Sequence, residues 1–376
     1  MPQPPFVFGR IADKENFVDR IPERERLADN FRSLTNTAII SPRRWGKSSL
    51  VQRVAEDITD SDLRVCMIDI FNVRSESDFY AHLVKSVMKA TMPKWEEWAD
   101  AARHFLSQLR PTLSLSPDPT QEFSLELDWQ AAQRDPDEVL DLAEKIAESK
   151  KLRLVVCIDE FQGIAHFPDA LAFQEKLRSH WQHHQHVSYC LYGSKRHMLT
   201  DIFSNPDMPF YRFGDIMILT KIDNAVWGDF ITQRFADTGK TITPAQGRSI
   251  ANLVDNHPYY VQQLAQQVWF RTDKICVDSA ITTAMTDLTN QLSLVFAGMT
   301  ESLTARQLNF LRAVLARDPA PSSQRAIREY DLGTSANVTR IKEALVSREI
   351  IDIGGGTTEI LDPVFAYWLE TDYFTG

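Results

Sequence analysis

Apolar and polar positions along the chain alternate between two periods. Thr37–Ile40 (TAII) is a short β-branched apolar run, and Leu50, Val51, Val54 and Ile58 come after it at helical spacing. SPRRWGKSSL lies between them, so this part of the chain reads strand, loop, helix. Arg64–Phe71 (RVCMIDIF) predicts the next strand and Asp78–Met92 an amphipathic helix. Leu152–Ile158 (LRLVVCI) is the strongest buried-strand pattern. Val187–Tyr192 (VSYCLY) is another, with a helix over Phe173–His183 between them, and Ile216–Leu219 continues the series. Strands alternating with helices predict an α/β core built on a parallel sheet with crossover connections.

Two regions depart from that rhythm. Between Arg110 and Trp129, the alternating stretches Thr112–Leu115 and Phe123–Leu127 flank a Pro/Asp turn, which predicts a β-hairpin insertion. A helix over Pro136–Glu148 comes next, with Asp135 as its expected N-cap. From Asp223 to about Leu292 the pattern is helical and poor in strands. Thr304–Leu315, Ser323–Tyr330 and Thr334–Arg348 then give three short helices, and Ile350–Ile353, Gly354–Gly356 and Thr358–Leu361 a strand, tight turn and strand. That order is a winged helix-turn-helix, whose third helix enters the major groove in a DNA reader. The expected division is a core over residues 1–222 (with the hairpin inserted at about 110–130), a helical lid over 223–294 and a winged helix over 295–376.

Charge narrows the partners. The 376 residues include 51 acidic and 41 basic side chains, a net charge of −10, so the global field repels nucleic acid and anionic membrane. From Val295 to Gly376 there are eight basic residues against eleven acidic ones. The third helix offers Arg340, Lys342 and Arg348 beside Glu343 and Glu349. No apolar stretch reaches the ~18 residues of a membrane span, and MPQPPFVFGR lacks the pattern of a secretory signal. Cys66, Cys157, Cys190 and Cys276 have no CxxC spacing, which suits buried thiols in a reducing compartment. A soluble cytoplasmic protein is expected.

Candidate chemistry concentrates at two strand ends. Ser41–Ser48 nearly fits G-x-x-x-x-G-K-[ST], with Ser41 in the place of the first glycine, and it has the strand before and helix after that the motif requires. Backbone N–H groups there cradle an anion. Lys47 would reach β- and γ-phosphates, the Ser48 hydroxyl would ligate Mg²⁺, and Gly46 leaves room for close approach. Asp159 and Glu160 end the strand LVVCI, where ligands of open α/β sheets bind. Asp159 is placed to hold Mg²⁺ through water and Glu160 to orient and polarise the attacking water. Arg43 and Arg44 either meet phosphate or face solvent or a partner, and Trp45 is a packing wedge. His183, His184 and His186 lack the cysteines or carboxylates that would complete a metal sphere.

With these motifs the chain resembles, over nearly its whole length, the archaeal-type P-loop ATPases. They are members of the STAND branch of the AAA+ superfamily, related to origin-recognition ATPases. FVDRIPERERL (Phe17–Leu27) matches that family's F-x-x-R-x-x-E-x-x-x-L segment, and SPRRWGKSSL and CIDEFQ its Walker A and Walker B segments. LYGSKRHMLTDIF (Leu191–Phe203) resembles its sensor strand, with Ser194 at the polar position, and PFYR (Pro209–Arg212) its proline-to-arginine segment. NHPYYVQQLA (Asn256–Ala265) stands where the family has G-x-P, with Asn256-His257 before the proline, and LDPVFAYWL resembles the family's ending. The resemblance implies that Phe17 and Val18 line an adenine pocket with Pro258 and Tyr259. It also places Arg20 and the loop Ser41, Pro42, Arg43, Arg44, Trp45, Gly46, Lys47, Ser48 and Ser49 at the nucleotide. Ser194 would sense the γ-phosphate or position the water, and Arg212 would approach phosphates in cis or in trans. The expected protein is a slow ATPase that holds ATP or ADP with Mg²⁺ between core and lid and acts as a conformational switch in signalling or regulation. Its partner would be a protein or a second copy. The alternative is a DNA-binding regulator or DNA-transaction ATPase.

Overall fold

In the computed structural model, the residues described are 3–12, 14–92, 97–98, 101, 104–105, 112–115, 123–126, 137–318, 320–354 and 357–375. They form two compact units with separate apolar cores. One comprises Arg20–Arg43 with Lys47–Thr220, the other Met1–Asp19, Arg44–Gly46 and Lys221–Gly376.

The first unit runs α1 (Ile21–Arg32), β1 (Thr37–Ile40), α2 (Lys47–Asp57), β2 (Leu63–Asp69), α3 (Glu76–Thr91), β3 (Thr112–Leu115), β4 (Phe123–Glu126), α4 (Asp137–Leu140), α5 (Leu142–Lys150), β5 (Arg153–Asp159), a 3₁₀ turn (Phe161–His166), α6 (Ala170–Trp181), β6 (Val187–Gly193), α7 (Arg196–Ser204) and β7 (Asp215–Ile218). Five strands make one parallel sheet in the order β2-β5-β6-β1-β7. Interior strands of such a sheet are covered on both faces, which is why β1 and β6 are buried at every residue and read as unbroken apolar runs. At the edge, β2 mixes buried and exposed positions. Register aligns Ile40 with Gly193, Ile158 with Leu191 and Asp69 with Asp159, so the carboxyl ends of β1, β6, β5 and β2 lie in one row.

Two details differ from the sequence pattern. The helix expected over Pro136–Glu148 is two helices that part at Asp141, whose carboxylate is bonded by His180 and His184; Asp135 lies outside the described residues. β3 and β4 pair antiparallel as the inserted hairpin, while its turn and Leu127 are outside the described residues. Helix α1, which the apolar pattern did not single out, buries only Leu27 and Phe31 and starts with Pro22 in its first turn, where the missing N–H costs nothing.

The second unit is helical, with α8 (Asn224–Asp237), α9 (Pro244–Leu253), α10 (Pro258–Arg271), α11 (Asp278–Glu301), α12 (Ala305–Leu315), α13 (Gln324–Glu329), α14 (Ser335–Ser347), the antiparallel pair β8 (Ile351–Gly354) and β9 (Thr357–Ile360), and α15 (Pro363–Trp368). Thr243 with Gln246, and Thr304 with Gln307, form capping boxes that satisfy the first amides of α9 and α12. Helix α11 is continuous. Ala280, Ile281, Ala284, Met285 and Leu288 bury its first half beside α10, and Phe296 packs at a tilt against Phe365 and Trp368 of α15. All four cysteines are buried thiols, and burial pushes Cys66 up to about 12. Among the described residues no helix is long and apolar enough to cross a membrane.

Candidate functional site

The loop after β1 owes its shape to backbone conformation at two positions. Arg44 has φ 63° and Gly46 φ 89°, while Ser41 stays out of that region, so the place where the motif carries its first glycine does not need one here. A Cβ on Gly46 would meet nothing within 4 Å; the requirement is conformational, and the space above its backbone is open. Ser41 is fully buried. The Lys47 ammonium, also buried, donates to Ser41 O at 3.0 Å, Ser41 Oγ at 3.2 Å and Pro42 O at 2.8 Å. The lysine that opens α2 is therefore held across its own loop by three oxygens.

The carboxyl end of β5 supplies the acids. Ser48 Oγ donates to Asp159 Oδ2 at 2.6 Å, and Glu160 N donates to Asp159 Oδ1 at 2.8 Å. Burial raises the Asp159 pKa above the ordinary carboxylate value; the bonds from Ser48 and the Glu160 amide oppose this, and the neighbouring charges of Glu160 and Asp69 add to it. Glu160 sits at φ 57°, ψ 34°, a left-handed conformation that costs a non-glycine residue roughly 1–2 kcal/mol. Such strain recurs where a side chain must be aimed. Its Oε2 accepts from Ser194 Oγ at 2.9 Å and from Gln162 Nε2.

Three neighbouring parallel strands thus bring Lys47 and Ser48, Ser194, and Asp159 and Glu160 to one edge. Gln162 joins them without having been singled out; its sequence signal is only a polar residue two positions past the carboxylate. The hydroxyl of Ser48 and the carboxylate of Asp159 are hard oxygen donors of the kind Mg²⁺ takes. A cation there would also relieve the disfavoured charge on half-buried Asp159, so these residues fit that metal.

The remaining expected residues belong to both units. Arg20 opens α1 in a left-handed conformation, is buried, and donates to Glu23 at 3.0 Å, while its Nη2 has no partner among the described residues. Arg43 is exposed and Ser49 half-buried. Arg212 is exposed, with its guanidinium 5.1 Å from the Tyr211 ring centre; no described hydrogen bond or ion pair joins it to the groups above. In the second unit Phe17 is half-buried and Val18 belongs to the core. Pro258 and Tyr259 start α10. Arg44 lies over the Tyr259 ring at 4.5 Å, and Trp45 meets His257 edge to face at 6.4 Å. His180, His184 and His186 are bonded to acids, and His184 also to Tyr189, while His183 meets Gln182.

A parallel sheet with a lysine-bearing loop after one strand and an acid pair after another, leading into helices and a winged helix, is the fold of P-loop nucleotide-binding proteins joined to a winged helix. Known proteins agree. Residues 294–371 match the family model described as "Probable winged helix domain". The structure is similar to a Walker-type ATPase of Pyrococcus abyssi, with a TM-score of 0.67 and 18% identity over 97% of this chain and 99% of that one. It is also similar to the ORC2 protein of Aeropyrum pernix in its ADPNP-ADP complexes, with a TM-score of 0.57 and 13% identity over 99% and 100% of the two chains. At these identities the likeness is one of fold. No curated protein matches the chain by sequence.

Proposed function

We propose that this protein binds ATP with Mg²⁺ and hydrolyses it slowly, and that the nucleotide sets the state of its winged helix. The observation that carries the reading is the convergence of Lys47, Ser48, Asp159, Glu160 and Ser194 at the carboxyl ends of three neighbouring strands. Lys47 would exchange loop oxygens for those of the β- and γ-phosphates, on a loop whose amides would cradle them. Ser48 and Asp159 would hold Mg²⁺, which when bound neutralises charge on the phosphate oxygens. Glu160 would orient and polarise the water that attacks the γ-phosphorus, with Ser194 fixing the carboxylate. Phe17, Val18, Pro258 and Tyr259 are the proposed adenine contacts. Arg20 and Arg212 are further phosphate or base contacts, the latter in cis or in trans.

The switch reading rests on contacts inside the second unit. Arg44, from the loop, lies over Tyr259. The next residue, Tyr260, donates its hydroxyl to Asp362, which also caps α15 through the amides of Val364 and Phe365. Lys221 donates to Asp255, just before α10, and to Glu359 on the wing. Two polar links therefore tie the start of α10 to the winged helix. A protein partner or second copy is favoured over DNA, because the cations of α14 and its C-cap are partly engaged. Arg348 donates to Ser302 O at 2.9 Å, and the Lys342 ammonium lies 6.0 Å from the Phe310 ring, leaving Arg340 exposed beside Glu343.

The test is calorimetry with ATP and Mg²⁺ on the full chain and on Lys47→Ala. Affinity is expected to fall about tenfold or more, ~1.4 kcal/mol upward. Unchanged affinity in a folded variant would sink the assignment.

A further inference from the structure

Glu160 is held by a neighbour whose own hydrogen bonding is incomplete. Gln162 is 4% exposed and lies in the 3₁₀ turn just after the acid. Its Nε2 donates to Glu160 Oε2, the same oxygen that accepts from Ser194 at 2.9 Å. A carboxylate only accepts, so the amide must present its nitrogen to Glu160 and its oxygen away from it. The cost is visible: Gln162 Oε1 is buried and accepts from no described residue, an arrangement native proteins rarely keep without a purpose. The third wall is Gly193, the last residue of β6. A Cβ there would come within 1.9 Å of Gln162 Oε1 and 3.1 Å of Glu160 Cα. The fold has left out a side chain so that the amide can lie between β6 and the acid.

We propose that Gln162 is a positioning residue for Glu160, and that it deepens the ATPase reading on which it rests. Two donors fix Oε2. Oε1 accepts from no described residue and is the oxygen left to accept a hydrogen bond from the attacking water. Ser194 alone would leave the carboxylate free to turn about a single bond; the second donor removes that freedom, and orientation of this kind acts on the chemical step. Ground-state binding of ATP, which rests on the loop and Lys47, is not involved.

The experiment measures steady-state ATP hydrolysis with Mg²⁺ and ATP affinity on the full chain, for Gln162→Met alone and in the Glu160→Gln background. Methionine keeps the length and burial of the side chain and removes the donor. The expected result is a fall in kcat of about tenfold, ATP affinity within about twofold of the unaltered protein, and no further fall when Glu160 is already glutamine. A merely structural role would lower the rate by the same factor in both backgrounds, and that outcome overturns the proposal. Should Gln162→Met fail to fold, Gln162→Asn keeps a buried amide with a shorter reach and carries the same comparison. Turnover that depends on Glu160 and ignores Gln162 overturns this inference alone. Absence of Glu160-dependent turnover in the unaltered chain overturns the ATPase reading, and this inference with it.

Discussion

Two carboxylate networks lie at opposite ends of the same parallel sheet, and they are built in opposite ways. Before β6, Asp141 Oδ1 is bonded by His180 Nδ1 at 2.8 Å and His184 Nε2 at 3.3 Å, and the other nitrogen of His184 meets Tyr189 OH at 2.9 Å. Glu144 accepts from the amides of Gln185 and His186 and from the His186 ring. Burial would raise both acids, but these bonds outweigh it and hold Asp141 and Glu144 below the ordinary carboxylate range. After β5 the balance reverses. Burial prevails at Asp159, Glu160 is strained, and Gln162 Oε1 has no partner among the described residues. The first network has every partner it needs within the fold and contributes stability. The second keeps unused capacity, which is what a site for an external ligand requires.

The contrast breaks most sharply at Glu160. Glu160→Gln is expected to retain ATP affinity and lose turnover by about a hundredfold or more, measured as phosphate release against calorimetric binding. Intact turnover would remove Glu160 from its role. Next in size is Asp141→Ala, which takes the acceptor from two histidines at once. It should lower unfolding free energy by about 2 kcal/mol in urea titrations, with turnover per folded molecule unchanged. Because the folded pKa of Asp141 is depressed, its contribution is present above the unfolded value of about 3.9 and is lost as pH falls through the lower folded value. The unaltered chain should therefore lose stability below pH ~4 more steeply than Asp141→Ala. The smallest effect has the opposite sign. The folded pKa of Asp159 is raised, so its charge opposes folding at neutral pH, and stability is gained as pH falls through that value. Without Mg²⁺ and nucleotide, Asp159→Asn should unfold at slightly higher urea than the unaltered chain at pH 7.5, while Mg²⁺-dependent ATP binding weakens. A lower midpoint would mean that the Ser48 bond outweighs burial.

Much of the network after β5 could be read along the chain. TAII, the GKS triplet and the run before Asp159 carry their meaning locally, because strand, turn and helix propensities there act over neighbouring residues. The winged helix was legible for the same reason: its turn glycines and short amphipathic runs are contiguous. Gln162 was not legible, since its role depends on Gly193 arriving from another strand with no side chain. Asp141 was hidden similarly: nothing in its neighbourhood says that histidines 39 and 43 positions later will bond it. That pairing sits where a helix the apolar spacing made continuous parts in two. Helix α1 escaped because it buries two apolar residues in twelve, too few for a periodic signal.

Helix α11 is a beam. It has 24 residues, which makes it about 36 Å long, seated on α10 at one end and on α15 at the other. Between the seats, Asn290, Gln291, Leu294 and Val295 are exposed, so the span is open to solvent on that side. An α-helix of unbroken hydrogen bonds has no hinge, so the beam behaves as a lever rather than a linker. A tilt of about 5° where it rests on α10 would swing the far end by about 3 Å. A small displacement at the start of the beam would thereby reach the packed aromatic rings of Phe365 and Trp368.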